Sequence, residues 1–196
     1  MGALARLRAG LARALVRAAR SRERRNAPLA DRLLRWALRL EPQMGDAAPT
    51  LVALRRVGGD RLGALDAARE ATARFPQADD AWCLLGEACQ GAFKMTEAMD
   101  AFARALGLAE RADAALRFGL LLRRESRFTE AAAMFARAFA AGAGPEALYE
   151  NAASLWHAGD TEQALRALEM WGTHFVDGSA RIADARRELE RGAKPA

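Results

Sequence analysis

An alanine returns at an almost constant interval along this chain. Its positions are Ala30, Ala64, Ala98, Ala131 and Ala164, at steps of 34, 34, 33 and 33 residues. A second series follows seven residues behind it, at Ala37, Ala71, Ala105 and Ala138, with Trp171 in the fifth place. A fixed step of this length is typical of stacked supersecondary units that bury their apolar faces on one another. The chain is therefore predicted to be an array of similar units.

The interval divides most of the 196-residue chain into five units with a segment at either end. The predicted segments are a basic extension 1–10, the units 11–44, 45–78, 79–111, 112–144 and 145–177, a capping helix 178–192 and a tail 193–196. Arg17 and Ser21 fall in apolar positions of the first unit, and Asn151 falls in one of the fifth. Terminal units of an array are commonly atypical because one of their sides faces water.

The unit 79–111 has the clearest pattern. Two sets of small or apolar residues follow helical spacing, Trp82, Leu85, Gly86 and Cys89 in the first and Ala98, Phe102 and Ala105 in the second. Gly91, Lys94 and Thr96 separate the two sets and indicate a turn. Small residues at Gly86 and Ala98 allow two helices to approach closely. The unit is therefore predicted to be an antiparallel helix pair.

The aromatic, Leu-Gly, Ala, Phe and Ala positions of this unit resemble those of the tetratricopeptide repeat. The resemblance implies an all-α protein, a right-handed α-solenoid of about five helical hairpins with a C-terminal capping helix. Composition agrees with the helical part of this expectation, because alanine is abundant and β-branched residues are few. The resemblance also implies that the protein presents a surface to a protein or peptide partner.

The resembling family lines a concave groove with the first helices of its pairs. Its groove positions carry over here to Cys83, Leu84, Glu87, Leu116, Arg117, Leu120, Arg123, Arg124, Tyr149 and Trp156. Exposed aromatic residues in a groove favour partner contact, although Trp156 could instead pack under Trp171 or the capping helix. Acids at the starts of these helices and arginines at their ends form two rims, which the helix macrodipole alone could explain. The family's clamp for a terminal carboxylate is absent.

The N-terminal region is strongly basic. Residues 1–40 contain eleven arginines against two acids, Glu23 and Asp31. On a helix, Arg6, Arg13, Arg17, Arg20 and Arg24 share one face, and Leu4, Leu7, Leu11 and Leu15 share another. Such a segment could lie on an anionic membrane or dock into an acidic partner. Alternatively, residues from Leu11 onward are the first helix of the first unit and their arginines are solvated. Nucleic acid is disfavoured, since no recognition motif or stacking aromatic accompanies the arginines.

No site chemistry is indicated, and we expect neither a catalytic centre nor a cofactor nor a metal. His157 and His174 lack matched ligand spacing. Cys83 and Cys89 lie six apart on one predicted helix and cannot easily bridge, which fits a reducing, cytoplasmic compartment. Cys89 occupies a core position, whereas Cys83 is expected to be accessible. The favoured hypothesis is a scaffold or assembly adaptor; the alternatives are a peripheral membrane organiser at the cytoplasmic face and a secretion-type chaperone.

Overall fold

A computed structural model describes residues 2–23, 25–41, 47–173 and 187 of the chain. Within this described part there are ten α-helices and no β-strand, which confirms the all-α prediction. The helices are α1 Gly2–Arg22, α2 Ala27–Leu40, α3 Ala47–Val57, α4 Arg61–Arg74, α5 Asp79–Gly91, α6 Met95–Leu108, α7 Ala112–Arg124, α8 Phe128–Ala140, α9 Glu146–His157 and α10 Thr161–Thr173. The predicted capping helix apart from Arg187, the tail, Arg24 and His174 lie outside the described residues.

The helices form two compact units, Met1–Ala101 and Phe102–Ala196. In the first, α1 packs on α2, α2 on α3, α3 on α4 and α4 on α5. In the second, α7 packs on α8, α8 on α9 and α9 on α10. All five alanines of the first repeating series are buried. Their small side chains allow the packed helices to approach closely. Larger side chains fill the remaining core, among them Leu34, Val52 and Leu65 in the first unit and Phe102, Leu122 and Phe135 in the second.

Four of the turns between helices have the same backbone conformation. Each has three residues, and the middle residue has a positive φ: 80° at Gly59, 61° at Phe93, 59° at Ser126 and 89° at Gly159. In each turn the next backbone N–H donates to the carbonyl five residues earlier, as from Asp60 to Arg55 at 2.8 Å. This is the Schellman motif, which satisfies carbonyls left open at the end of a helix. The backbone therefore requires a left-handed residue at these four places.

The connection between α1 and α2 is longer by one residue, because four sequence positions separate Arg22 from Ala27. Asn26 ends this connection and caps α2 by accepting a hydrogen bond from the Leu29 backbone N–H at 3.1 Å. The buried face of α1 consists of Ala12, Val16 and Ala19. Ala19 lies eleven residues before Ala30, whereas in the other pairs the corresponding separation is ten residues.

This one-residue offset corrects the expected register of the first helix. Arg17 and Ser21 were expected in apolar positions, but both are exposed. Each residue advances a helix by about 100°, so the extra residue changes which side of α1 faces α2. Helix α1 also continues without a break from Gly2, so residues 2–10 are helical.

An arginine on α3 links three helices of the first unit. The Arg55 Nε donates to the Asp31 carboxylate of α2 at 2.7 Å, and its Nη1 donates to the Gly63 carbonyl of α4 at 2.7 Å. The side chains of Arg55 and Asp31 are 18% and 19% exposed. Water therefore screens this ion pair less than an ordinary surface pair.

Candidate partner-binding surface

The predicted groove residues of the second unit lie on α7 and α9. Leu116, Leu120 and Arg123 follow one another at steps of four and three, so they share one face of α7. All three are half-buried, as is Arg117, while Arg124 is exposed. Leu116 and Leu120 thus keep part of their apolar surface in contact with water.

The matching face of α9 carries Tyr149 and Trp156, seven residues apart. Tyr149 is 48% exposed, and its ring centroid lies 5.8 Å from that of Trp171. Trp156 is half-buried and packs against a core cluster that includes Ala167 and Leu168 of α10. Tyr149 therefore presents the more accessible aromatic surface, and Trp156 has a substantial packing role.

An ion pair joins these two helices. Arg123 of α7 donates to the carboxylate of Glu150 on α9. This contact links the C-terminal end of α7 to the N-terminal half of α9, the two helices that carry Leu116, Leu120 and Tyr149. We refer to Leu116, Leu120 and Tyr149 as the α7/α9 surface. It is an apolar surface bordered by a compensated charge pair.

The predicted groove residues of the first unit lie on α5. Cys83 was expected to be accessible, but it is only 4% exposed. One helical turn further on, the Glu87 carboxylate accepts a hydrogen bond from Arg56 of α3 at 3.2 Å. This face of α5 is thus turned toward α3, and the Cys83 thiol is covered. Leu84 and Glu87 are half-buried.

Two arginines of the predicted basic rim have structural partners. Arg56 pairs with Glu87, and Arg123 pairs with Glu150, in each case on the first helix of the following pair. Their charges are therefore compensated within the protein. At these two places, the arginines of the rim join neighbouring helix pairs.

The sequence did not predict a cleft of about 700 Å³ in the second unit. Leu148, Asn151 and Leu155 of α9 line it, with α8 on one side and α10 on the other. The Asn151 Nδ2 donates to the Ala132 carbonyl of α8 at 2.7 Å, which explains how a polar residue is buried there. The sequence features that could have indicated this cleft are the polar residue Asn151 at an apolar position and the small residues of α8.

The basic helix α1 has three distinct faces. Ala12, Val16 and Ala19 face inward, and Arg6, Arg13, Arg17 and Arg20 are exposed on an adjoining face. The third face carries Leu4, Leu7 and Leu11, which are 70%, 71% and 54% exposed. Leu15, further along that face, is half-buried.

Ligands for a metal ion do not converge in the part of the chain that is described. There, no group of three or more His, Cys, Asp or Glu residues is placed to hold a metal. The His157 ring stacks on that of Phe128, with centroids 4.9 Å apart. None of the described helices combines the length and apolar character needed to cross a membrane.

The paired helices, their Schellman turns and the buried alanine series define a protein with the tetratricopeptide-repeat fold. Solved structures agree with this assignment. The chain is similar to PilF of Pseudomonas aeruginosa, with 18% identity, a TM-score of 0.71, and coverage of 95% of this chain and 89% of that one. It is also similar to MamA, with 17% identity, a TM-score of 0.67, and coverage of 94% and 96%.

A third similar structure is YrrB, described as a tetratricopeptide-repeat protein with an unusual peptide-binding site. The identity is 19%, the TM-score is 0.64, and the match covers 88% of this chain and 90% of YrrB. No protein-family model and no curated protein matches the sequence.

Proposed function

We propose that this protein is a non-enzymatic scaffold that binds a segment of a partner protein on the α7/α9 surface. The observation that carries the proposal is the 48% exposure of Tyr149 on α9, the helix that the Arg123–Glu150 pair links to α7 and its half-buried Leu116 and Leu120. Tyrosine supplies a large, rigid contact area at a low entropic cost, and aromatic anchors dominate the energetics of protein interfaces. The peptide-binding site named for YrrB is consistent with this use of the fold.

The Arg123–Glu150 pair links the two helices that carry the α7/α9 surface. An extended or helical segment with apolar side chains would cover Leu116, Leu120 and Tyr149, while its polar groups would meet the ion pair at the border. A partner segment of this kind needs two or three apolar anchors and no high charge.

A peptide library displayed on phage and selected on the wild-type protein supplies a defined probe. We expect a selected peptide to lose affinity by roughly tenfold or more when Leu116 and Tyr149 are both replaced by alanine. Met170→Ala is the matched control, since Met170 has a similar exposure of 49% and is not part of the surface. Equal affinity of the peptide for the wild type and the double variant would refute this location of the site.

A second candidate function is attachment of α1 to an anionic membrane surface. Leu4, Leu7 and Leu11 form an exposed apolar row, and α1 contains six arginines and no acid. Basic amphipathic helices bind anionic bilayers through this combination of apolar burial and electrostatic attraction.

Flotation with vesicles of phosphatidylserine and phosphatidylcholine tests this second function. Replacing Leu4, Leu7 and Leu11 by serine should release the protein from the vesicles, as should Arg13→Glu with Arg17→Glu. Leu108→Ser is the control, because Leu108 is 38% exposed but lies on α6. Absence of the wild-type protein from anionic vesicles at low salt would eliminate this function.

A further inference from the structure

Phe93 occupies a backbone conformation that large side chains rarely adopt. Its φ is 61°, and the equivalent turn positions hold Gly59, Ser126 and Gly159. Left-handed backbone is strained for a bulky residue, and retained strain often marks a functional position. The Phe93 ring is also 68% exposed, so burial of the ring does not compensate for this strain.

Phe93 contacts the start of α4, where further apolar side chains are exposed. The Arg61 guanidinium carbon lies 4.8 Å from the centroid of the Phe93 ring. Val57 and Leu62, on either side of the turn that precedes α4, are 79% and 69% exposed. We call Val57, Arg61, Leu62 and Phe93 the turn patch.

The patch has no counterpart in the later turns. At the positions of Val57 and Leu62 the other three turns carry Gly91 with Thr96, Arg124 with Thr129, and His157 with Glu162. The repeat fold therefore does not require the apolar side chains of the turn patch.

We propose that the turn patch binds a protein segment that places a carboxylate beside an apolar side chain. A guanidinium that lies against an aromatic ring keeps the N–H groups at its edge available for a bidentate carboxylate contact. Among the described residues, no carboxylate forms an ion pair with Arg61. Val57, Leu62 and Phe93 would cover the apolar side chain of the ligand. The patch shares no residue with the α7/α9 surface, so the two proposals can be tested separately.

The test uses the full chain and an array of synthetic 15-residue peptides that carry Leu or Phe next to Asp or Glu. Each peptide is paired with a version in which amides replace the acids. The best binder is then measured by fluorescence anisotropy against the wild type, Phe93→Gly and Arg61→Gln. Ser126→Gly is the matched control, because it removes the same backbone strain at a turn that lacks the patch.

We expect Phe93→Gly to weaken peptide binding by about tenfold or more while its thermal midpoint does not fall. Arg61→Gln and the amide peptide should each weaken binding, and their combination should be no worse than either alone. Ser126→Gly should bind like the wild type.

Three results would overturn the proposal: no acidic peptide binds, Phe93→Gly binds equally well, or the losses from Arg61→Gln and the amide peptide add. Phe93-dependent binding to phosphatidylserine vesicles without peptide binding would assign the patch to lipid and also reject it. Phe93-dependent dimerisation in light scattering, again without peptide binding, would assign it to a second copy of the chain with the same consequence.

Discussion

The aromatic ring of Phe135 lies directly against the backbone of Gly119. A β-carbon at Gly119 would stand 2.8 Å from Cε1 of that ring, closer than carbon atoms normally approach. Phe135 is fully buried, so its ring has little room to move. Gly119 therefore allows α7 and α8 to approach closely.

We predict that Gly119→Ala destabilises the protein. Overpacking costs about 1–3 kcal/mol, and the better helix propensity of alanine returns about 1 kcal/mol, so the expected net loss is about 1 kcal/mol. Urea unfolding measures this change in the free energy of unfolding. In combination with Phe135→Leu the loss should be smaller than the sum of the single losses, and strict additivity would show that the two residues do not clash.

Substitutions at the turn residues with a positive φ should change stability in opposite directions, depending on whether the native residue is glycine. Phe93→Gly and Ser126→Gly should each stabilise by roughly 0.5–1 kcal/mol, because glycine adopts a positive φ without strain. Gly59→Ala and Gly159→Ala should destabilise by a similar amount. Thermal unfolding followed by circular dichroism measures all four. A lower midpoint for Ser126→Gly would contradict the assignment of strain to these turns.

The Arg55 bridge should contribute more to stability than a surface ion pair. We predict that Arg55→Gln destabilises by roughly 1–3 kcal/mol, since Asp31 and the Gly63 carbonyl both lose a half-buried donor. Arg166→Gln removes a pair with Glu162 whose side chains are 69% and 78% exposed, and it should change stability by less than about 0.5 kcal/mol. Equal effects in urea unfolding would show that the bridge is no more than a surface contact.

Replacing Ser154 by alanine should stabilise the protein. Its Oγ is buried, and no hydrogen-bond partner is present for it among the described residues. Ser154→Ala removes an unsatisfied polar group and should stabilise by about 1 kcal/mol. Thr72 is the control, because its Oγ1 donates to the Arg69 carbonyl at 2.9 Å; Thr72→Val should destabilise. A loss of stability in Ser154→Ala would indicate that its hydroxyl has a partner.

The thiol of Cys89 should make stability depend on pH in the alkaline range. Burial raises the pKa of Cys89 above its ordinary value, so the folded protein keeps this thiol protonated where the unfolded chain ionises it. Its contribution is complete below about pH 8.5 and is lost as the pH rises through the folded-state pKa. Between pH 8 and pH 10, the wild type should therefore lose more stability than Cys89→Ala. Parallel pH profiles for the two proteins would contradict this.

The helical content and the pairing of helices follow from the alanine series. A small residue that returns every 33 or 34 positions is useful only where two helices approach at the same point of each pair, and all five of these alanines are buried. Turn residues such as Asp60 then mark the helix starts, because their side chains cap the following helix. The outer boundaries of the five predicted repeats remain a prediction.

The register of α1 and the depth of Cys83 could not be predicted in the same way. The alanine series lies on the second helix of each pair, so it contains no information about the length of the turn that precedes that helix. The groove positions implied by the resemblance predict which side of a helix faces the groove. They do not predict which neighbouring residues cover that side. The face of α5 that carries Cys83 is turned toward α3, and the contact that shows this joins Arg56 and Glu87, which are 31 residues apart.

The longer connection between Arg22 and Ala27 has a consequence for how charge is distributed in this molecule. With a three-residue turn, the inward positions of α1 would fall one residue later, on Arg13, Arg17 and Arg20 instead of Ala12, Val16 and Ala19. Three guanidinium groups would then lose their hydration in an apolar interior. With the additional residue, the small apolar side chains of α1 face the core and its arginines face water. The first helix therefore carries many arginines without burying their charge.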